Sequence, residues 1–339
     1  FGIIFFFIYA SNSIFFQKVI SLIFLYYHIM LRFSLLFFVS FSCALTMDST
    51  FSLGALDNTI TQTMQLIVEG KYENAEKETR TLAEKNKGVA CILNGMILIG
   101  RYDDLGDTIA LLQATKLLTK CKSTGYWEAL RIFELGYTQS EQGHSLKGAI
   151  HTKSAAEIFE KSNARDSKAF YAIYAYYMNN SLNWLPFVSD NSDSYLKALE
   201  NGAKHSIWFW PLFSTSLIWM HYDRKEYDKG LQLADSALKR VPNHPVFLQI
   251  KADMLYRMKQ YKQAAQIYEA SASDYLTRTG KSLRYWCAVA NLIRIYHDAG
   301  NEQQKIKWQK ELNAPEFNTI KEWMPNSLMD DLKERNLLK

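Results

Sequence analysis

The side chains best suited to chemistry in this sequence are its histidines, cysteines and paired acids, and they follow none of the common catalytic spacings. There is no Gly-x-Ser-x-Gly, no glycine-rich phosphate loop, no His-Glu-x-x-His and no Cys-x-x-Cys. His144 and His151 stand seven residues apart, but His144 falls in a predicted turn, so we expect no metal site there. We interpret Asp103-Asp104 and Asp330-Asp331 as helix-start and surface charges. The sequence therefore predicts no catalytic residue, no metal and no cofactor, and an enzyme would need groups that converge from distant helices.

The composition favours an all-helical chain. Hydrophobic residues make up 48% of the 339 residues, which is ample for a buried core. All six prolines lie at or after Pro186, so nothing in the first half of the chain forbids helix. Val, Ile and Thr do not occur in strictly alternating runs, so strands have little support. The net charge of +5 is scattered without a block of Lys or Arg, which argues against nucleic acid as a partner.

The N-terminal residues indicate export. We interpret residues 1–29, which begin with Phe and are mostly apolar, as upstream sequence read in frame rather than native protein. Residues 30–44 carry a short basic start, an apolar core and small residues after it, the pattern of a secretory signal. Cys43 leaves open the alternative of a lipoprotein signal, in which its thiol is acylated. We therefore expect a periplasmic or envelope-associated protein that meets the membrane only through such an anchor or the N-terminal segment.

Three cysteines follow Cys43 in the chain. Export permits disulfides, and Cys91 could pair with Cys121 if their helices are neighbours. The favoured interpretation is that Cys91, Cys121 and Cys287 are three separate thiols packed inside helices.

A 34-residue repeat is the strongest signal in the sequence. Residues 211–241, shifted by 34 positions, fall on residues 245–275 with seven identities in 31 positions, where about two are expected from average residue usage. The identical pairs are Pro211/Pro245, Phe213/Phe247, Met220/Met254, Tyr222/Tyr256, Lys225/Lys259, Tyr227/Tyr261 and Gln232/Gln266. A period of 34 residues is typical of one helix–turn–helix unit per repeat.

Each unit divides into two helices around a polar turn. Pro211 and Pro245 stand where a first helix begins, a position at which proline is tolerated. The second helix begins near Tyr227 or Tyr261. The small residue three positions after each tyrosine lets the two helix backbones approach closely.

These features resemble the tetratricopeptide repeat family. The likeness covers roughly residues 56–312 and is firm for 207–275. Weaker copies of its turn or first helix occur at Gly70–Ala75, Leu135–Gly148 and Leu292–Asn301. The resemblance implies an all-α fold, a right-handed α-solenoid of six or seven helix pairs in a domain of residues 45–314. Capping helices at 315–339 would cover its last apolar face.

The resemblance also implies a binding groove. In this family the first helices line the concave face of the superhelix. Eight residues fall on the groove-facing stripe: Trp219, Tyr222, Gln249, Asp253, Tyr256, Arg257, Arg294 and His297. Such a mixture suits a peptide, because arginine pairs with carboxylates and aromatic rings supply rigid contact area. The alternative is that they are ordinary surface or core residues.

A second candidate site is an aromatic group in the irregular middle of the chain. It comprises Trp184, Phe187, Trp208 and Trp210 and could line a pocket for a small apolar or sugar ligand. Core packing is the competing interpretation.

Three functions follow in order of preference. The first is a non-enzymatic envelope scaffold that holds a protein or peptide partner in its concave groove. The second is a small-ligand-binding or transporter-accessory protein, and the third is an enzyme with an unrecognised site.

Overall fold

The computed structural model describes residues 54–182 and 189–338, and all of the regular elements in these two ranges are helical. The α-helices are α1 (Gly54–Val68), α2 (Tyr72–Lys85), α3 (Lys87–Leu105), α4 (Thr108–Lys120), α5 (Gly125–Glu141), α6 (Ser145–Lys161), α7 (Ser167–Leu182), α8 (Ser192–His205), α9 (Trp210–Asp223), α10 (Tyr227–Arg240), α11 (Pro245–Arg257), α12 (Tyr261–Thr279), α13 (Leu283–Asp298), α14 (Glu302–Gln309), α15 (Pro315–Ile320) and α16 (Asn326–Glu334). Short 3-10 helices occur at Glu311–Asn313 and Lys321–Trp323. None of the described helices is both long and apolar enough to cross a membrane. The predictions made for residues 1–29, residues 30–44 and Cys43 lie outside the described residues.

Consecutive helices pack on one another along the described chain, first helix against second helix, from α1/α2 to α13/α14. The all-α solenoid predicted from the repeat is confirmed. Pro211 and Pro245 stand in the first turns of α9 and α11, as their position in the repeat predicts. Helix α12 is five residues longer than α10, so the next unit begins later in the chain than the 34-residue period predicts.

The turn inside each pair recurs with one geometry. After α9, the Lys225 amide donates to the Tyr222 carbonyl at 2.9 Å and the Glu226 amide donates to the His221 carbonyl at 2.8 Å. The same two hydrogen bonds close the turn in four other helix pairs. Each of the five turns has one residue with a left-handed backbone, and in chain order these are Gly70, Gly143, Lys225, Lys259 and Gly300. This turn satisfies the last carbonyls of the first helix before the chain reverses. The units are therefore equivalent in structure even where their sequences have diverged.

Small residues allow α5 and α6 to approach closely. A Cβ on Gly136 would lie 2.7 Å from the Thr152 hydroxyl and 3.0 Å from the Gly148 carbonyl. A Cβ on Gly148 would meet Ser140 and the Gly136 carbonyl. Gly136 and Gly148, which lie in the weak copy of the repeat at Leu135–Gly148, therefore have a packing role here.

The superhelix closes on itself. Helix α3 contacts α11 and α13, although more than 130 residues separate them in the chain. Just before α9, Trp208 Nε1 donates to Thr61 Oγ1 of α1 at 2.8 Å, and the Trp208 ring lies 6.0 Å from that of Trp127 in α5. Helix α9 is in consequence buried almost all round, from Trp210 to His221. Much of the inner face is therefore covered by the opposite end of the solenoid.

One prediction about the cysteines is wrong. Cys91 and Cys121 form a disulfide, with their Cα atoms 5.8 Å apart. The bond forms because α3 and α4 pack antiparallel, so the start of α3 lies beside the end of α4. Cys287 is a free, buried thiol, as the sequence predicts.

Candidate functional site

The last turns of α9, α11 and α13 lie side by side and bring together most of the residues that the sequence placed in a groove. The Arg257 guanidinium lies 5.0 Å above the Tyr222 ring, donates to the Tyr222 hydroxyl, and lies 5.8 Å from the Tyr256 ring. The Arg294 guanidinium lies 4.5 Å from the same Tyr256 ring. These distances are those of cation–π contacts. We refer to Tyr222, Asp253, Tyr256, Arg257 and Arg294 as the groove cluster.

Hydrogen bonds hold Asp253 and Tyr256 of the groove cluster in position. Asp253 accepts from the Tyr268 hydroxyl at 2.6 Å and lies 3.9 Å from Arg294 Nη2. Burial raises the pKa of Asp253, and the Arg294 charge works against that rise. The Tyr256 hydroxyl donates to Asp298 Oδ2 at 2.6 Å. The tyrosine and arginine side chains are therefore held in position before any partner arrives.

Ion pairs connect the C-terminal helix α16 to the residues around the groove cluster. Arg335, which directly follows α16, pairs with Asp298 of α13 and, at 2.7 Å, with Asp331 of α16. Arg294 Nη1 lies 3.7 Å from Asp331 Oδ2. Helix α16 therefore continues the polar network of the groove cluster at its C-terminal end.

Arg257 and Asp223, at the ends of α11 and α9, are exposed residues. The surrounding protein desolvates the Asp223 carboxyl and raises its pKa to about 7.

The other three predicted groove residues lie outside the groove cluster. Trp219 is 5% exposed and packs edge-on against the Tyr222 ring at 5.2 Å, so it forms part of the core. Gln249 is half-buried nearer the start of α11. His297 is half-buried three residues after Arg294, and its Nδ1 has no hydrogen-bond partner within the described residues.

A large cavity lies where the two ends of the solenoid meet. It has a volume of about 1200 Å³ and lies between the α1–α2 turn, the end of α3, the α10–α11 turn and the inner side of α12. Its wall carries four cations (Lys71, Arg240, Lys251 and Arg278). It also carries the amides Gln263 and Gln266 and the carboxylates of Asp104 and Asp274. This cavity was not foreseen from the sequence.

A small acidic cavity adjoins the large one. It has a volume of about 80 Å³ and shares Val68, Tyr72, Asp104 and His244 with the large cavity. Apart from Asp104, its lining includes the carboxylates of Asp103 and Glu134, and its apolar part includes Met64, Ile99 and Trp208. We refer to it as the acid pocket.

The interpretation of Asp103-Asp104 as surface charges is wrong. The two residues are 2% and 6% exposed, because the solenoid closes over the end of α3. Asp103 accepts from the Tyr137 hydroxyl at 2.5 Å and lies 3.4 Å from Arg284 Nη2 of α13. Asp104 accepts from the Tyr72 hydroxyl, and burial raises its pKa. A sequence in which two acids precede Gly106 at a helix end gives no sign of this burial.

Glu134 of α5 is the third carboxylate of the acid pocket. It is 7% exposed. Desolvation raises its pKa to about 7, and the neighbouring Asp103 charge adds to the rise. Glu141 of the same helix, by contrast, accepts from the Tyr102 hydroxyl at 2.8 Å.

The predicted aromatic pocket does not form as one group among the described residues. Trp208 lines the acid pocket, whereas Trp210 stacks on Phe247 at 6.0 Å with the Arg240 guanidinium 3.6 Å above its ring. Trp184 and Phe187 lie outside the described residues. In the described part of the chain, no three His, Cys, Asp or Glu side chains converge as metal ligands would.

The architecture and its inner-face site define a tetratricopeptide-like helical solenoid. The chain is similar to a Rap protein solved in complex with the competence and sporulation factor, at 15% identity and a TM-score of 0.53, over 84% of this chain and 88% of that chain. It also matches the apo form of the quorum sensor NprR from B. thuringiensis, at 13% identity and a TM-score of 0.43, over 83% and 82% of the two chains. No protein-family model matches the sequence, and no curated protein matches it.

Proposed function

We propose that this protein is a non-catalytic scaffold that binds a peptide or an extended protein segment on its inner face at the groove cluster. One observation carries the proposal. Arg257 is an exposed residue, and yet its guanidinium is held in place by the rings of Tyr222 and Tyr256. A surface arginine normally loses considerable side-chain entropy on binding, and here most of that loss has already occurred on folding.

The chemistry of the groove cluster fits a peptide. A preorganised guanidinium pairs with a carboxylate through two parallel hydrogen bonds, and flanking tyrosine rings supply rigid contact area. Asp223, at the end of the neighbouring helix, offers a site for a basic group of the same ligand. The likeness in fold to a Rap protein that was solved with a bound factor supports the proposal at the level of architecture.

Peptide binding is tested by selection followed by single substitutions. Peptides are selected from a displayed random library on the wild-type protein, and their affinity is measured by fluorescence polarisation. We expect Arg257→Ala to weaken binding by about tenfold or more, as for a buried interface anchor. Arg80→Ala, which removes an exposed arginine from the second helix α2, is the matched control and should change nothing.

The outcomes separate the site from the fold. If selected peptides bind Arg257→Ala and wild type equally well, the groove cluster is not the binding site. If repeated selections recover no peptide, peptide binding itself is wrong. Far-ultraviolet circular dichroism of each variant shows whether the helices remain intact.

We further propose that binding takes place at the cell envelope. The Cys91–Cys121 disulfide supports this location, because disulfides persist in oxidising compartments. Cell fractionation of the producing organism provides the test. Recovery of the protein with reduced cysteines in the cytosolic fraction would refute the proposal.

A small-ligand or transporter-accessory function is the second candidate. The cavity of about 1200 Å³ favours it, since pockets for small ligands commonly measure about 300–1,000 Å³. Equilibrium dialysis of the protein against a metabolite mixture, followed by mass spectrometry, tests this candidate. Failure to retain any compound argues against it.

A further inference from the structure

The four cations on the wall of the large cavity differ in whether a carboxylate accompanies them. Three of them form ion pairs, which are Lys71–Glu69 at 2.6 Å, Lys251–Asp235 at 2.7 Å and Arg278–Asp274 at 2.8 Å. Arg240, the last residue of α10, forms no ion pair with any residue in the ranges 54–182 and 189–338. Its charge is therefore the one on this wall that the described chain leaves available for an anion.

The Arg240 guanidinium is nevertheless held in a defined orientation. Its central carbon lies 3.6 Å above the ring of Trp210, which in turn stacks on Phe247 with the two planes 5° apart. Arg240 Nη1 donates to the Ala203 carbonyl of α8 at 3.3 Å. The ring and the carbonyl together fix the plane of the guanidinium, while its Nε and Nη2 donate to no atom of the described residues.

The free edge of this guanidinium fits an oxyanion. Nε–H and Nη2–H point in parallel, and such an edge donates two hydrogen bonds to one carboxylate or phosphate group. The surrounding protein desolvates the guanidinium and so lowers the pKa of Arg240, and no neighbouring acid opposes that change. A partly desolvated cation without a counter-charge attracts an anion more strongly than a fully hydrated one.

The cavity is much larger than an inorganic ion requires. Its volume is about 1200 Å³, whereas a water molecule occupies about 30 Å³ in the liquid. Beside Arg240 the wall is apolar at Val241 and, two turns of α11 apart, at Leu248 and Leu255. A ligand that fills this space therefore combines an anionic group with an apolar body.

We propose that the large cavity binds an amphipathic organic anion, whose carboxylate or phosphate group pairs with Arg240 and whose apolar part packs against Leu248 and Leu255. This inference rests on the second candidate function, binding of a small ligand, and names the class of that ligand. It does not depend on peptide binding at the groove cluster.

Small probes test the cavity directly. Hexanoate and hexyl phosphate are titrated into the full protein, and binding is followed by ligand-observed NMR and by the indole N–H resonance of Trp210, which Trp210→Phe assigns. Hexanamide has the same shape without the charge, whereas acetate and inorganic phosphate have the charge without the apolar body. We expect saturable binding of hexanoate or hexyl phosphate that is at least tenfold tighter than binding of the three controls.

Substitutions assign the effect to Arg240. Arg240→Gln removes the charge, so we expect it to weaken binding at least tenfold. Arg240→Lys keeps the charge and loses the two parallel donors, so it should bind with intermediate affinity. The double variant Arg278→Gln/Asp274→Asn is the matched control, because it removes an ion pair from the same wall without changing the net charge, and it should leave binding unchanged. Far-ultraviolet circular dichroism shows whether each variant keeps its helices.

The outcomes decide the proposal and the chemistry of the anion. Equal binding by wild type and Arg240→Gln, equal binding of hexanoate and hexanamide, or no binding of either hexyl anion overturns it. Acetate or inorganic phosphate binding as tightly as the hexyl anions means an adventitious ion only, which also overturns it. Tighter binding of hexanoate supports a carboxylate ligand, and tighter binding of hexyl phosphate supports a phosphate monoester.

The dialysis experiment separates this inference from the function on which it rests. A neutral or cationic compound retained by the protein, without binding of the hexyl anions, leaves the second candidate function standing and refutes the anion. Retention of no compound, together with no binding of the hexyl anions, refutes both.

Discussion

Removal of the Cys91–Cys121 disulfide should destabilise the N-terminal half of the solenoid by a predictable amount. The bond closes a loop with a sequence separation of 30 residues. In the chain-entropy description, cross-linking a loop of that length disfavours the unfolded chain by about 3.6 kcal/mol. Domains are commonly stable by only about 5–15 kcal/mol, so Cys91→Ala/Cys121→Ala should lower the free energy of unfolding by a large fraction.

The assay combines mass spectrometry with urea unfolding. Intact mass before and after alkylation under denaturing conditions shows whether one or all three of Cys91, Cys121 and Cys287 are free in the purified protein. Urea titrations of wild type, with and without dithiothreitol, are then compared with the double variant. We expect reduced wild type and the double variant to unfold at about the same urea concentration, because both lack the same cross-link.

Cys287→Ala serves as the control, because it removes the buried free thiol and leaves the disulfide intact. It should keep the sensitivity of the protein to dithiothreitol. Alkylation of both Cys91 and Cys121 in oxidised protein would refute the disulfide. An unfolding midpoint that does not respond to dithiothreitol would refute the entropic argument.

Three further predictions concern the closure of the solenoid, the packing of one helix pair and the acid pocket. Arg284→Met should lower the free energy of unfolding by about 3–5 kcal/mol, because it leaves Asp103 buried without its cation, and small-angle X-ray scattering should show a larger radius of gyration. A mutant as compact as wild type would contradict the role of this ion pair in closure. Gly136→Ala should lower the free energy of unfolding by about 1–3 kcal/mol in urea titrations, since its Cβ would lie 2.7 Å from the Thr152 hydroxyl. No loss would mean that α5 and α6 separate freely. The pKa of Glu134 is raised by desolvation from 4.5 to about 7, so the folded state retains a proton that the unfolded state releases in between. The contribution of Glu134 to the free energy of unfolding should therefore fall by about 3 kcal/mol as the pH rises from 4.5 to 7. Glu134→Gln should remove that contribution from the pH profile, and an unchanged pH profile would contradict the assignment.

The helix pairs could be predicted because their signals are local. Pro211 and Pro245 begin first helices, and Tyr227 and Tyr261 begin second helices, at the positions that the 34-residue period indicates. These features depend on neighbours within one unit, since a turn is closed by hydrogen bonds between residues five or fewer positions apart. The same local rule explains why the turn recurs after α1, where Gly70 takes the left-handed position.

The groove cluster was partly predictable for the same reason. Tyr222 and Tyr256 occupy equivalent positions in consecutive units, so their proximity follows from the stacking of the repeats. The contacts that α16 makes with this region, from Arg335 to Asp298, lie outside the repeat and could not be derived from its period.

The sequence alone determined the fold class, because helix periodicity, turn residues and a 34-residue repeat all act over short distances. Only the tertiary structure decided how far the solenoid turns before its ends meet. That closure depends on small rotations added over several units, and it brings Trp208 to Thr61 across 147 residues of chain. It is also what buries Asp103, Asp104 and Glu134 together. A carboxylate at the end of a helix has the same sequence context whether it faces water or the opposite end of the molecule, and its burial depends on which segment lies across from it.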